Sequence, residues 1–351
     1  MEEYIAFDSH KRYTWVEREQ AVGGKVRQYR IEHAPGAIRR ALSGCAPGTP
    51  VAIEATANWY WITDEIEQAG LQPLLVHPRK AKLMMGQINK TDRLDTHGMN
   101  RLQRNGTLPV VWIPPGRLRD LRELTRTRVV LVAQRTRCKN RITATLAKWG
   151  VPPSEYSDPY GKRARAEWEQ RLAPLPEQTR WTIRQMLEQL DHVSTQIEAF
   201  EQRLKELVEI TPEMQWLMSM PGVGVILAAT IALEMGEVSR FASAERLASY
   251  AGTVPRVHAS GDRVRYGRTR PDVNRYLKWA FAEAGNSIAV NHRRWPERHV
   301  SQLYLRLRAR KGHNKAVGAV ARHLSEAAFH VLSRRQEYRD PATVGGRTRG
   351  A

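Results

Sequence analysis

The chain is 351 residues long, 41% hydrophobic and 26% charged, enough to bury at least one large core and to form two domains with a connector. Lys+Arg 56 against Asp+Glu 36 leaves a formal charge of +20, which points to a polyanionic partner, nucleic acid foremost, and no apolar run is long enough to span a membrane. The two cysteines, Cys45 and Cys138, exclude a disulfide framework and a cysteine-based zinc site, and the acidic start Met1-Glu2-Glu3-Tyr4 does not read as a signal peptide, so a reducing cytoplasm is the expected compartment.

The first third reads as α/β. Residues 4–8 form a short apolar run ending in Asp8, and residues 12–17 and 25–31 carry alternating or β-branched stretches suited to paired strands around a Gly23-Gly24 turn. A short helix is expected over 35–42, a buried strand over 51–54 ending in Glu54, a helix over 58–68 stopped by Gly70, and a further strand over 73–76. This order suggests a mixed sheet covered by helices. From 117 to about 149 the pattern is helical and strongly basic, until Pro152, Pro153 and Pro159 break it. Between 180 and 209, Ile183, Met186, Leu190, Val193, Ile197, Phe200, Leu204 and Leu207 step by three and four, the seam of a coiled coil formed within a helical hairpin or between subunits. Beyond Thr211-Pro212 the chain reads as helical to about Ser333, followed by a polar tail expected to be disordered.

Four carboxylates stand out in the first domain. Asp8 and Glu54 each end a strand, the position at which open α/β sheets form their sites. Asp92 and Asp95 lie three apart, on one face of a helix, where like charges repel unless solvent or a cation separates them. Together they supply enough hard oxygen ligands for one or two Mg²⁺ ions, which serve phosphoryl transfer. Lys90 and Arg93 beside them suit a phosphate backbone, and the lack of a Walker-type loop argues against an NTPase.

In the second half, Met220-Pro221-Gly222-Val223-Gly224 before an apolar helix has the form of a helix-hairpin-helix turn, with Gly222 and Gly224 presenting backbone N–H groups to a DNA phosphate; the same motif also serves as an ordinary tight turn. Arg256, Arg263, Arg265, Arg268, Arg270 and Arg275 form a dense basic series suited to nucleic-acid backbones. Ser260 before Gly261 reads, from composition alone, as a turn residue. Trp279, Phe281 and Trp295 read as core aromatics ahead of base-stacking platforms, and His258, His299, His313 and His323 lack a metal-ligand spacing.

The order of these motifs resembles the DEDD-type transposases of the insertion sequence 110 family, relatives of the Piv invertase. The motifs are Phe7-Asp8, Ile53-Glu54-Ala55-Thr56, Val76-His77-Pro78, the run from Lys90 to Asp95, and Ala259-Ser260-Gly261 in an arginine-rich domain. The resemblance spans roughly residues 4–335, with Thr96 and Ala259 as departures that remove no catalytic group. It implies an RNase H-like, resolvase-type α/β domain over 1–145 and a helical coiled-coil connector over 146–210. A mainly α serine transposase domain over 211–335 and a tail over 336–351 would follow. It further implies Asp8, Glu54, Asp92 and Asp95 as Mg²⁺ ligands and Ser260 as a nucleophile forming a phosphoserine intermediate. The implied partners are donor and target DNA, a non-coding bridge RNA, and further copies of the chain as dimers and tetramers, in a bacterial cytoplasm at the nucleoid when active. Two other functions stay open from sequence: a hydrolytic Holliday-junction-resolvase-like nuclease with Ser260 structural, and a non-enzymatic protein that bridges nucleic acids.

Overall fold

A computed structural model describes residues 3–86, 91–261 and 263–341. The chain divides into two compact units, Met1–Pro114 and Pro115–Ala351.

The first unit contains strands β1 (Glu3–Ser9), β2 (Tyr13–Gln20), β3 (Val26–Glu32), β4 (Pro50–Glu54) and β5 (Gln72–Val76), with helices α1 (Ala37–Leu42), α2 (Trp59–Gln68), α3 (Pro78–Met85) and α4 (Asp92–Arg104). The five strands form one mixed sheet in the order β3-β2-β1-β4-β5, antiparallel on the β3 side and parallel between β1, β4 and β5. Every strand expected from sequence is present. Gly70 ends α2 in the left-handed conformation at φ +76°, with its N–H on the Glu67 carbonyl and that of Leu71 on the Ile66 carbonyl.

The period-two alternation of the central strands sorts the two faces. Ile5, Phe7, Val51 and Ile53 join a large apolar cluster with Ile38, Leu42, Ile62 and Ile66 of α1 and α2. Ala6 and Ala52 face the other way, and their small side chains let α4 pack close through Met99 and Leu102. Trp15, Glu17 and Glu19 alternate with Val16 on β2. From that row the fully buried Glu17 accepts from Asn100 at 3.1 Å and meets His97 at 3.2 Å, and Glu19 pairs with Arg104. These polar contacts lock the rotation of α4 on the sheet, a specification an apolar surface alone would supply less sharply.

The second unit contains α5 (Gly116–Lys148), α6 (Lys162–Arg165), α7 (Trp168–Leu172), α8 (Glu177–Leu207), α9 (Pro212–Met218), α10 (Val225–Met235), α11 (Ala244–Tyr250), β6 (Pro255–Ser260), β7 (Arg263–Thr269), α12 (Arg275–Asn291), α13 (His299–Lys311) and α14 (His313–Ser333). The seam on α8 is occupied from within the chain: Ile183, Leu187 and Leu190 pack with Cys138, Ile142 and Leu146 of α5, and Val193 and Ile197 with Leu131. The helices from α9 to α14 share a separate core around Phe281, Leu247 and Leu324.

Two expectations are corrected here. The segment 211–333 is not continuously helical, because β6 and β7 form an antiparallel hairpin within it; its alternating Val257, Ala259, Val264 and Tyr266 carry the strand period. Residues 336–341 are held rather than disordered: the Tyr338 N–H donates to Ser219 Oγ at 2.7 Å, and Asp340 accepts from the His299 N–H at 2.9 Å. Residues 342–351 of the expected tail lie outside the described residues.

Candidate functional site

The α4 face of the sheet carries the acidic site. β1 and β4 pair in parallel with Phe7 opposite Ile53, so Asp8 and Glu54 follow side by side at the carboxyl ends of the two central strands. Asp8 is in phase with Ala6 and therefore emerges toward α4, where it is 7% exposed. Helix α4 begins there, with Thr91 Oγ1 accepting from the Leu94 N–H at 3.2 Å, which puts Asp92 in its first turn. The helix dipole favours an anion at that position.

His10 completes the cluster. Its Nε2 lies 3.3 Å from Asp8 Oδ2 and 3.2 Å from Asp92 Oδ2. That nitrogen is buried, yet neither contact has hydrogen-bond alignment. The Tyr13 hydroxyl donates to Asp92 Oδ2 at 3.1 Å and its ring packs on His10 at 4.5 Å between centroids, while Arg30 lies 3.8 Å over the Tyr13 ring. Desolvation and the Asp92 carboxylate push the Tyr13 phenol above its ordinary value, so it remains a donor. The backbone of His10 is fixed from the other side by Asn58, whose Nδ2 donates to its carbonyl at 2.8 Å.

Donor atoms of Asp8, His10 and Asp92 all lie within 4.8 Å of one another. Two carboxylates and an imidazole, one nitrogen of which is buried without an aligned partner, fit a divalent cation. Two of the four expected carboxylates thus converge. Glu54 stands beside Asp8 in register and Asp95 lies in the same first turn of α4 as Asp92, but neither joins this tight group among the described residues. The sequence reading missed His10. Its signal was the spacing: two residues beyond Asp8, it repeats the strand's alternation past the last apolar position. Arg93 is exposed, with its guanidinium 5.7 Å over the Trp15 ring, and Lys90 lies outside the described residues.

Ser260 belongs to the second unit and is the last residue of β6, paired with Arg263 across a turn that begins at Gly261, φ +56°. It is exposed on a strand, where the sequence suggested a loop. The pairs Ser260–Arg263 and His258–Arg265 alternate with Ala259–Val264 and Val257–Tyr266. Alternation therefore puts Ser260, His258, Arg263 and Arg265 on one face of the ribbon and an apolar row on the other. Arg268 is exposed on β7, Arg256 is half-buried, and Arg275 packs on the Tyr276 ring at 5.3 Å. Arg270 is engaged locally, donating to Asp272 at 2.6 and 3.2 Å, and that carboxylate raises the guanidinium above its ordinary value.

The glycines of the Pro221-Gly222-Val223-Gly224 turn serve different ends. Gly222 has φ +77°, and a Cβ there would lie 2.5 Å from the Ala284 carbonyl oxygen, so its requirement is close packing on α12. Gly224 is exposed, precedes α10, and has open space around it. Among the aromatics, Phe281 is core, Trp279 is partly buried, and Trp295 is exposed between Arg294 and Arg298, 5.4 and 4.6 Å from its ring centre. Part of the basic surface suggested for α5 is internal: Arg122 donates to the carbonyls of Leu233 and Glu234 at 2.7 and 2.9 Å, closing the end of α10. Among the described residues no helix is long and apolar enough to cross a membrane.

Comparison with known proteins finds two family models. One, described as a transposase of the DEDD IS110 type, matches residues 5–149; the other, described as the transposase IS116/IS110/IS902 family, matches residues 214–301. The y4qE protein of Sinorhizobium fredii is 28% identical over 70% of this chain and 60% of its own length. The transposase for insertion sequence element IS1111A of Coxiella burnetii is 23% identical over 77% of this chain and 74% of that protein. The pilin gene-inverting protein of Moraxella lacunata is 36% identical over 20% of this chain and 23% of that protein.

Proposed function

The chain belongs to the IS116/IS110/IS902 family of transposases, and from that premise we propose that it is the DNA transposase of an insertion sequence, cutting and rejoining donor and target DNA. The observation that carries this reading is the convergence of Asp8 and Asp92, distant in sequence, with His10 at the strand ends of a mixed sheet. The strand order β3-β2-β1-β4-β5 is consistent with an RNase H-like, resolvase-type domain.

In this reading Asp8, Glu54, Asp92 and Asp95 would hold Mg²⁺, with His10 beside Asp8 and Asp92 and Tyr13 fixing the Asp92 carboxylate. The chemistry such an ion would supply there is polarisation of the phosphate and stabilisation of the departing oxygen. Ser260 Oγ attacks phosphorus and releases its proton as the new P–O bond forms. The bond from phosphorus to the 3′ oxygen breaks, and that oxygen takes up a proton to leave as a 3′-hydroxyl, with a 5′-phosphoserine on the protein. Attack by the 3′-hydroxyl of the exchanged strand then restores the serine. An unassisted serine hydroxyl is a weak nucleophile; Arg263 and Arg265 on its face of the ribbon supply positive charge where the phosphate gains negative charge.

The sequence choice in this reading comes from base pairing with a non-coding bridge RNA, while the basic surface of the protein grips backbones. Dimers and tetramers bring the acidic domain (1–145) and serine domain (211–335) of different copies to one DNA. The test is trapping: wild-type protein with labelled DNA, cognate RNA and Mg²⁺ should yield a denaturation-resistant adduct, absent in Ser260→Ala. A Ser260→Ala protein that cuts at the wild-type rate favours the hydrolytic nuclease instead, and absence of any strand transfer in the wild type overturns the enzyme reading.

A further inference from the structure

We propose that the tip of the α5–α8 hairpin is a binding cleft for an unpaired stretch of nucleic acid, with Trp149 as a stacking platform and Arg141 and Lys148 as phosphate contacts. The proposal takes nucleic acid as partner from the function proposed above. The cleft has a volume of about 440 Å³ and lies between the last turns of α5 and the first turns of α8. That falls within the roughly 300–1,000 Å³ of small-ligand pockets, room for a nucleobase and its phosphate but not for a double helix.

Arg141, Thr145 and Lys148 recur at helical spacing along one wall, and Gln178, Thr179 and Thr182 form the other. No carboxylate lines the cleft, and neither Arg141 nor Lys148 forms an ion pair among the described residues. The cations are therefore available to an anion, and a protein carrying +20 attracts nucleic acid to them.

Trp149 is 48% exposed and Trp181, nearby in sequence to the α8 wall, is 61% exposed. An indole left in water is a large apolar surface awaiting a partner. The backbone of Trp149 is fixed, because α5 ends on it: Gly150 at φ +68° donates to the Ala147 carbonyl and Val151 to that of Leu146, each at 3.1 Å. An exposed ring on a fixed backbone, beside two cations outside any ion pair, is the arrangement that stacks unpaired bases irrespective of sequence. The Thr145 and Thr182 hydroxyls donate back to the carbonyls of Arg141 and Gln178 at 2.9 and 2.8 Å, so toward a ligand their oxygens act as acceptors. Acceptors suit exocyclic amines and the 2′-hydroxyl. The α8 wall lies between the two family matches, which end at 149 and resume at 214, while the α5 wall forms the end of the first of them.

Fluorescence anisotropy of the full-length protein with labelled oligouridylate, oligothymidylate and a DNA duplex tests this. Trp149→Ala, and separately Arg141→Glu with Lys148→Glu, should weaken single-strand binding about tenfold and leave duplex binding within about twofold, with Trp149→Phe retaining most of the affinity. Equal losses on both single strands support stacking and phosphate contact; a larger loss on the ribo-oligomer supports 2′-hydroxyl contact at the same cleft. Unchanged single-strand binding in both variants, with duplex binding intact, overturns the proposal while sparing the transposase reading. A change in sedimentation with unchanged single-strand binding overturns it too, assigning the tip to a second copy of the chain. Failure of the wild type to bind any nucleic acid overturns the transposase reading itself.

Discussion

The His10 Nε2 lies 3.2 Å from the Asp92 Oδ2, joining a residue just past the end of β1 to the first turn of α4. Asp92 thereby stands at the Asp8 strand end, where the Tyr13 hydroxyl donates to the same oxygen. Asp92→Asn keeps the shape and removes the charge. Divalent-cation affinity, read by Mn²⁺ titration with electron paramagnetic resonance, is expected to fall at least about tenfold, with duplex binding unchanged. Wild-type affinity in that variant removes Asp92 from the metal site.

The exposed arginines on the Ser260 face differ from Arg270, which is engaged with Asp272. Removing Arg263 or Arg265 should lower the slope of log affinity against log salt on duplex DNA by about 0.9 each. Arg270→Ala should lower it by less. Equal slopes in all three would show that the Ser260 face of the ribbon does not meet the backbone.

Gly222 and Gly224 separate packing from binding. Gly222→Ala drives a methyl group into the Ala284 carbonyl at a positive φ, and a loss of roughly 1–3 kcal/mol is expected in chemical denaturation. Gly224→Ala has room and should leave stability within about 0.5 kcal/mol. If Gly224→Ala also leaves duplex affinity unchanged, the turn is not improved or harmed as a phosphate contact by its exposed glycine, and its motif is structural.

The fully buried Glu234 carboxylate is held side-on by Arg126, Nε to Oε1 at 2.6 Å and Nη2 to Oε2 at 2.9 Å, with Asn274 Nδ2 donating at 2.7 Å. Asn274 also caps α12 by accepting from the N–H groups of Tyr276 and Leu277. Arg126→Met takes the bidentate guanidinium from a buried carboxylate, leaving it Asn274 and, at 3.8 Å, Arg122 Nε; a loss of about 3 kcal/mol, the low end for a broken buried pair, is expected, read as a lowered melting temperature. A melting temperature within a degree or two of wild type would mean that the carboxylate finds other compensation.

His323 is mostly buried, and desolvation first, then the nearby His299 imidazole, holds it below its ordinary value of 6.5. Glu326 and Asp340 oppose that shift without reversing it. The unfolded chain therefore takes up the proton at a higher pH than the native one. Stability is full above about 6.5 and declines as pH falls below it, until the native imidazole also protonates. His323→Gln should flatten this part of the melting-temperature profile, and an unaltered profile would locate the acid sensitivity elsewhere.

The sequence by itself determined the elements of the first unit, the long helices α5 and α8, and the chemistry available to them, but not the β6–β7 hairpin. Apolar runs ending in Asp8 and Glu54, the glycine after α2 and the three-four steps of α8 are local signals, set by strand and helix periods that any neighbouring packing must respect. The same local order, with Ser260 in an arginine-rich stretch, carried the family. Only the tertiary structure decided which groups meet. His10 joined Asp8 and Asp92 because small Ala6 and Ala52 let α4 lie close on one face of the sheet, a three-dimensional accident of side-chain size. Arg122 and Arg126 left the basic surface because Glu234 and the end of α10 needed donors. Gly222 became a packing residue because α12 passes over it. In each case the deciding partner is remote in sequence, and burial, which sets whether a charge or a glycine faces water or another chain segment, is not a local property.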